Sequence, residues 1–314
     1  MEFSPEHFEG EEREGFYIQP LMKRVWAVEL EILEEIKALC RRHAIRFSAV
    51  WGTLLGAVRH QGFIPWDDDI DLVMLREDLV RFLHYARTEL PPGYCIHDYN
   101  NEGFDELLVC VVNTHTLNLN VEFLEKFHGC PYSIGIDIFC MDHIPPNKEE
   151  EEVLLNLLSV TDNLGCYWDT YAPEERAEYV REIEQLTNYH FDENRPVRKQ
   201  MLYLADKISA MYWDVDCEEA TFMYLLRTAP HYRLPISCFD RIIEVPFENT
   251  TMPILEDYDR LLRLSYGNNY MTPVKKWNSH KYPFFRNQIK RLRALYEKRG
   301  MKIPACFDME LDES

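Results

Sequence analysis

The chain has 314 residues, 54 acidic against 34 basic, a formal net charge of −20 at pH 7, and 46% hydrophobic with 13% aromatic content. That apolar share builds a real core and excludes general disorder. The acidic balance excludes nonspecific nucleic-acid binding, because nothing over the surface at large cancels phosphate repulsion, but it admits a phosphate-bearing small substrate whose site imports positive charge as metal.

Residues 1–19 read as a loose acidic arm. Their sequence, MEFSPEHFEGEEREG and onward, lacks the basic-then-apolar order of a signal peptide. From Pro20 to His43 the apolar positions Val25, Val28, Leu30, Ile32, Ile36 and Leu39 recur at helical spacing, which predicts an amphipathic helix. IRFSAV (45–50) predicts a short strand, and TLLGAVRH a brief helix after the turn at Gly52-Thr53. GFIPW is an irregular turn broken by Pro65. IDLVML (70–75) predicts a buried strand, with a helix over REDLVRFLHYARTEL after it. YCIHDY, LLVCVV and LNLNVEFL (117–124) predict further strands, and GIDIFCMDHI (135–144) another, closed by Pro145-Pro146.

Beyond Lys148 the texture turns helical and rich in Glu, Arg, Leu and Tyr. A strand-like IIEVPF (242–247) follows, then helices near 254–267 and 284–299. The expected organisation is an acidic arm (1–19), an α/β core (20–146) and a mostly helical region (147–314) whose return strand packs it onto the core. Nine cysteines without a C-x-x-C pair give neither a zinc knuckle nor a disulfide framework, and point to reduced thiols. No apolar run approaches the roughly 20 residues that span a bilayer. The expectation is a cytoplasmic protein, placed at the inner face of the membrane only through an acceptor or a partner.

The chemistry concentrates in GTLLGAVRHQGFIPWDDDIDLVM (52–74), where Asp67, Asp68, Asp69 and Asp71 crowd into five positions. Close carboxylates repel one another and resist leaving water unless a cation is bound. A solvated loop would suit Asp67 and Asp68 but not Asp71, wedged between Ile70 and Leu72. In an extended chain Asp69 and Asp71 share one face, a two-carboxylate platform for Mg²⁺. A calcium loop would need glycine where Leu72 stands. Upstream, a strand turning into a helix at Gly52-Thr53 places backbone N–H groups and a hydroxyl where phosphate can dock. Arg59 is the nearest cationic candidate, and His60 stands beside it.

This pairing resembles the polymerase-beta-like nucleotidyltransferase superfamily, and the 23-residue stretch resembles the LicD family of phosphocholine transferases that decorate bacterial surface glycans. GIDIFCMD resembles that family's second acidic strand. FENTTMPILEDYDRLLRLSYGNNYMTP (247–273) resembles its C-terminal block, with a later histidine, here His280. The resemblance implies an α/β (α+β) fold, a mixed sheet flanked by helices with the helical C-terminal half packed on it. It implies that Asp69, Asp71 and Asp137 bind metal, with Asp142 competing for the third place and Asp67 and Asp68 holding the turn.

Phosphoryl transfer leaves the protein mostly positioning and charge neutralisation. Two Mg²⁺ ions roughly 3.5–4 Å apart, with Mn²⁺ as the alternative metal, would serve the attacking and leaving oxygens. The third aspartate would act as general base. The implied donor is CDP-choline and the acceptor a hydroxyl of a teichoic acid, lipopolysaccharide or capsule-type glycan. Choline calls for an aromatic box, for which Trp66, Tyr132, Trp168, Tyr171, Trp213 and Trp277 are available, Trp66 adjoining the acidic strand. Two rivals stand: transfer of another CDP-linked group such as ribitol phosphate or glycerol phosphate, and a non-catalytic nucleotide-binding protein with a relic site.

Overall fold

The computed structural model describes residues 1–274 and 281–311. Its N-terminus is not a loose arm. Glu11–Arg13 (β1) and Phe16–Ile18 (β2) pair antiparallel around a turn in which Glu14 and Gly15 take positive φ. Ile18 is fully buried, and Arg13 and Lys23 tie the hairpin down through Glu248 and Glu11. The long helix Pro20–Arg42 (α1) follows, entered through a proline whose missing N–H would have had no partner there in any case. Its expected stripe is buried, with Val25, Val28, Leu30, Ile32 and Ile36 all at 0% exposure. Each such side chain contributes roughly 1.5–3 kcal/mol by leaving water.

Ser48–Ala49 (β3), Asp71–Leu75 (β4), Cys95–His97 (β5), Val109–Val112 (β6) and Gly135–His143 (β7) form the central sheet in the order β3-β4-β7-β6-β5. β4 and β7 run parallel and the other pairs antiparallel, so the sheet is mixed. Trp51–Arg59 (α2) links β3 to β4, and Arg76–Glu89 (α3) begins directly at the end of β4. LNLNVEFL, expected as a strand, is instead a loop and the short helix Val121–Lys126 (α4). The Asn120 side chain accepts the Glu122 N–H at 3.0 Å and caps it, a local bond that outcompetes the ladder.

Lys148–Tyr167 (α5), Pro173–Thr187 (α6) and Val197–Ser209 (α7) build a second apolar core around Ile144, Leu154, Leu158, Ile183, Leu204 and Ile208. The chain then comes back to the first core. Glu219–Thr221 (β8) pairs with the far half of β7 and with Leu234–Pro235 (β9). The expected return strand is Ile242–Phe247 (β10), but it joins Thr250–Leu255 (β11) in a separate hairpin rather than entering the sheet. Ser48 Oγ accepts the Leu255 N–H at 3.1 Å and fixes that hairpin against β3. Tyr258–Tyr266 (α8) and Arg286–Lys298 (α9) complete the chain. Among the described residues no helix is long and apolar enough to cross a membrane.

Candidate active site

β4 and β7 lie side by side with Asp71 opposite Asp137. Ladder partners on neighbouring strands point to the same face, so these carboxylates are set beside each other by backbone register alone. The Asp137 N–H donates to the Ile70 carbonyl at 3.1 Å, carrying the pairing up to Ile70. On the other flank of Asp137 stands Cys110 of β6, whose thiol is hydrogen-bonded to that carboxylate and held protonated by burial first and Asp137 second.

Asp69 and Asp71 are half-buried. Both are pushed well above the usual carboxylate range, first by desolvation and then by their acidic neighbours, Asp71 acting most on Asp69 and Asp137 most on Asp71. One oxygen from each of Asp67, Asp68 and Asp69 lies within 4.8 Å of the others. Asp68 is fully buried and accepts the Phe284 N–H at 2.6 Å, which ties the acidic stretch to the segment before α9. Asp142 faces away from this cluster. Its carboxylate takes a two-pronged contact from Arg76 at 2.6 and 2.8 Å, and Arg76 also reaches Asp206 at 2.6 Å.

The turn before α2 locks onto the same site. Thr53 Oγ1 accepts the Asp71 N–H at 2.8 Å, joining the helix start to the acidic strand. Gly52 is there because any side-chain carbon would collide with the Asp67 carboxylate. Arg59, at the end of α2, donates to the Tyr270 carbonyl at 2.9 Å, which anchors the YGNNYM loop after α8. His60 turns toward the N-terminal hairpin, its Nε2 3.3 Å from Glu14, and desolvation lowers its pKa. Trp66 is 5% exposed and meets the His60 ring edge-on. Of the other aromatics singled out in the sequence, Tyr132 is fully buried, Trp168 and Tyr171 pack against the second core, and Trp213 is exposed. Trp277 and His280 lie outside the described residues.

The structure adds residues that the sequence did not single out. Glu29 sits inside the buried stripe of α1, at 0% exposure, with neither carboxylate oxygen hydrogen-bonded. Burial raises its pKa most, and Asp68, Asp67, Asp71 and Asp137 raise it further, which places it behind the acid cluster. The signal was available: position 29 falls between Val25 and Ile32 on one helical face, where a charged residue is out of pattern. Tyr224, Tyr266 and Tyr282 also stand within electrostatic reach of the aspartates. Tyr224, Tyr266 and Tyr282 titrate high, chiefly through desolvation and then in part through the aspartates.

A family model described as LicD/FKTN/FKRP, nucleotidyltransferase domain, matches residues 44–122. The lipopolysaccharide cholinephosphotransferase LicD of Haemophilus influenzae is 56% identical over 259 residues, which cover 79% of this chain and 90% of that protein. Uncharacterized proteins of Rickettsia typhi and Rickettsia prowazekii are 42% and 44% identical over 66 residues, 21% of this chain in each case and 21% and 25% of theirs.

Proposed function

The chain belongs to the LicD family, and from that premise we propose that it transfers phosphocholine from CDP-choline to a hydroxyl of a cell-surface glycan or its precursor. The observation that carries this reading is the placement of Asp71 beside Asp137 on parallel strands, with Asp69 one turn of the pleat away. Carboxylate oxygens are the donors that Mg²⁺ prefers, Mn²⁺ being the alternative, and the buried Glu29 carboxyl behind the cluster, neither oxygen of which is hydrogen-bonded, fits a site that receives a cation. Asp69, Asp71 and Asp137 would hold it. When bound, it would neutralise charge on the transferring phosphoryl group and lower the pKa of the acceptor hydroxyl.

The chain's own residues do the rest. The backbone N–H groups at the start of α2 receive phosphate oxygens, and Arg59 adds a positive charge at the far end of the same helix. The acceptor oxygen attacks the phosphorus that carries choline. A new phosphorus–oxygen bond forms as the bond to CMP breaks, and CMP leaves with the electron pair. Asp137 takes the hydroxyl proton on a carboxylate oxygen. Thr53 and Gly52 keep the helix start and the acidic strand at fixed separation while this happens.

Calorimetric titration of CDP-choline, CDP-ribitol and CDP-glycerol, with Mg²⁺ and again with EDTA, tests the reading. Metal-dependent binding of CDP-choline alone is the expected result. Binding of a polyol donor instead would keep the mechanism and replace the substrate, and no metal-dependent binding would overturn it.

A further inference from the structure

The outer face of α9 departs from the charge of the rest of the chain. From Arg286 to Lys302 there are seven Lys or Arg and one acid, Glu297, in a protein whose formal net charge is −20. Ile289 and Leu292 point inward at 0% exposure. With 3.6 residues per turn, that direction gathers Lys290, Arg291, Ala294 and Lys298 on the opposite side. All four are exposed, as are Arg299 and Lys302 just beyond the helix. Arg293, by contrast, turns back to Asp308 at 2.7 Å and to the Met309 carbonyl at 2.6 Å. Among the described residues Lys290, Arg291, Lys298, Arg299 and Lys302 have no ion-pair partner.

The helix dipole accounts for only part of this. Lys298 and Arg299 close α9, where positive charge is favourable, but Lys290 and Arg291 lie in its second turn, nearer the positive end. Like charges crowded on one helix face repel, and no acid in their midst offsets them. Leu295, 38% exposed, lies within a turn of Arg291, Lys298 and Arg299, and Met301, 57% exposed, follows them. Apolar side chains set among unpaired cations fit an anionic lipid surface, which takes the charge at its headgroups and the apolar atoms just beneath them.

We infer that the outer face of α9, with residues 299–302 after it, docks this protein on a membrane rich in anionic phospholipid. The cluster reaches the size, about four to eight cations, that holds a helix to such a surface. A nucleic acid would gain nothing from Leu295 and Met301, and a long polyanion would run on to the acidic surface at large. A membrane meets one face only. The inner side of the helix is tied to the acidic strands. Gln288 accepts the Ser133 N–H at 2.9 Å and donates to the Ser133 carbonyl at 2.8 Å, just ahead of β7, and the Phe284 N–H donates to Asp68. A membrane on the outer face is therefore held at a fixed placement relative to the aspartates, which suits an acceptor anchored in it. The docking itself does not depend on the transferase reading.

The test is co-sedimentation with vesicles of phosphatidylcholine alone and of phosphatidylcholine with about one third phosphatidylglycerol, at about 0.1 M and about 0.5 M salt. The anionic vesicles should bind the native protein at least about tenfold more tightly, and the higher salt should abolish the difference. Lys290→Gln, Arg291→Gln and Lys298→Gln combined should weaken binding about a hundredfold, at about fivefold per cation, with an unchanged melting temperature. Lys290→Arg with Arg291→Lys should keep the binding. The lipid and salt comparisons decide the matter on the native protein alone if the triple variant does not fold. Equal binding to both vesicles, no binding to the anionic ones, or native binding by the folded triple variant would overturn the assignment. So would binding of duplex DNA in place of vesicles, or salt-sensitive self-association that the triple variant abolishes, since a nucleic acid or a second copy would then be the occupant. The transferase reading stands or falls separately, on the calorimetry with CDP-choline.

Discussion

Asp71 and Asp137 sit opposite each other because of ladder register, and Asp137 helps push the Asp71 carboxyl above its usual range. Asp71→Asn or Asp137→Asn should therefore have two opposite effects. Turnover should fall by about 10²–10³ or more, since several kcal/mol of charge stabilisation in the transition state are removed. The metal-free protein should melt higher, because a repulsive pair has become neutral. Steady-state rates and thermal melts in EDTA check both, and a variant with native turnover would contradict the assignment. The D-I-D alternation and the resemblance of GIDIFCMD to a second acidic strand drew attention to these residues in the sequence, and the register sets Asp71 and Asp137 side by side. Glu29 was not read, although its helix was, because its meaning depends on which strand the buried face of α1 meets. Glu29→Gln, which keeps shape and removes the ability to ionise, should leave the fold intact and raise metal-free stability above neutral pH, as measured by thermal melts across pH.

At the scale of elements, the site is a junction between α2 and β4. Thr53→Val leaves the Asp71 N–H without its side-chain acceptor, at a cost of about 1–3 kcal/mol, whereas Thr53→Ser should lose little. Denaturant midpoints for the two variants decide this, and equal midpoints would sink the idea. Gly52→Ala should impair activity more than stability, since the added methyl displaces the Asp67 carboxylate rather than a packed core. Comparing its turnover with its melting temperature makes that check.

Long periodic elements such as α1 and α3 were readable because apolar spacing alone decides them. Three short ones were not. The β1–β2 hairpin depends on a Glu14-Gly15 turn and on ion pairs with residues distant in sequence. α4 is decided by one asparagine cap. β11 carries Pro253 and was not read, only its last two residues falling in the helix expected from about 254, yet it pairs with β10 across its whole length. Local propensity is weak in all three, and tertiary contacts settle them.

On the scale of the whole molecule, the acid cluster couples stability to pH in a defined direction. Asp69, Asp71 and Glu29 have folded-state pKa values above their ordinary 3.8, 3.8 and 4.5, so over that range the folded protein binds more protons than the unfolded chain. Their contribution to stability is fully present below the ordinary values and is lost as pH rises through the raised ones. Without metal, the melting temperature should decline from mildly acidic toward alkaline pH. Mg²⁺ should raise it most at the alkaline end, where protons compete least for the carboxylates. The place of Asp142 is likewise a whole-molecule matter. Arg76 holds Asp142 to Asp206 of α7, so that acid fastens the helical layer to the sheet.

The most direct measurement is a calorimetric titration of Mg²⁺ into the metal-free protein and into its Asp71→Asn variant, each in two buffers of different ionisation enthalpy. The account predicts saturable binding by the native protein with release of protons, since the raised carboxyls must ionise to accept the ion, and loss of that binding in the variant. Equal binding by both proteins, or binding without proton release near neutral pH, would contradict it.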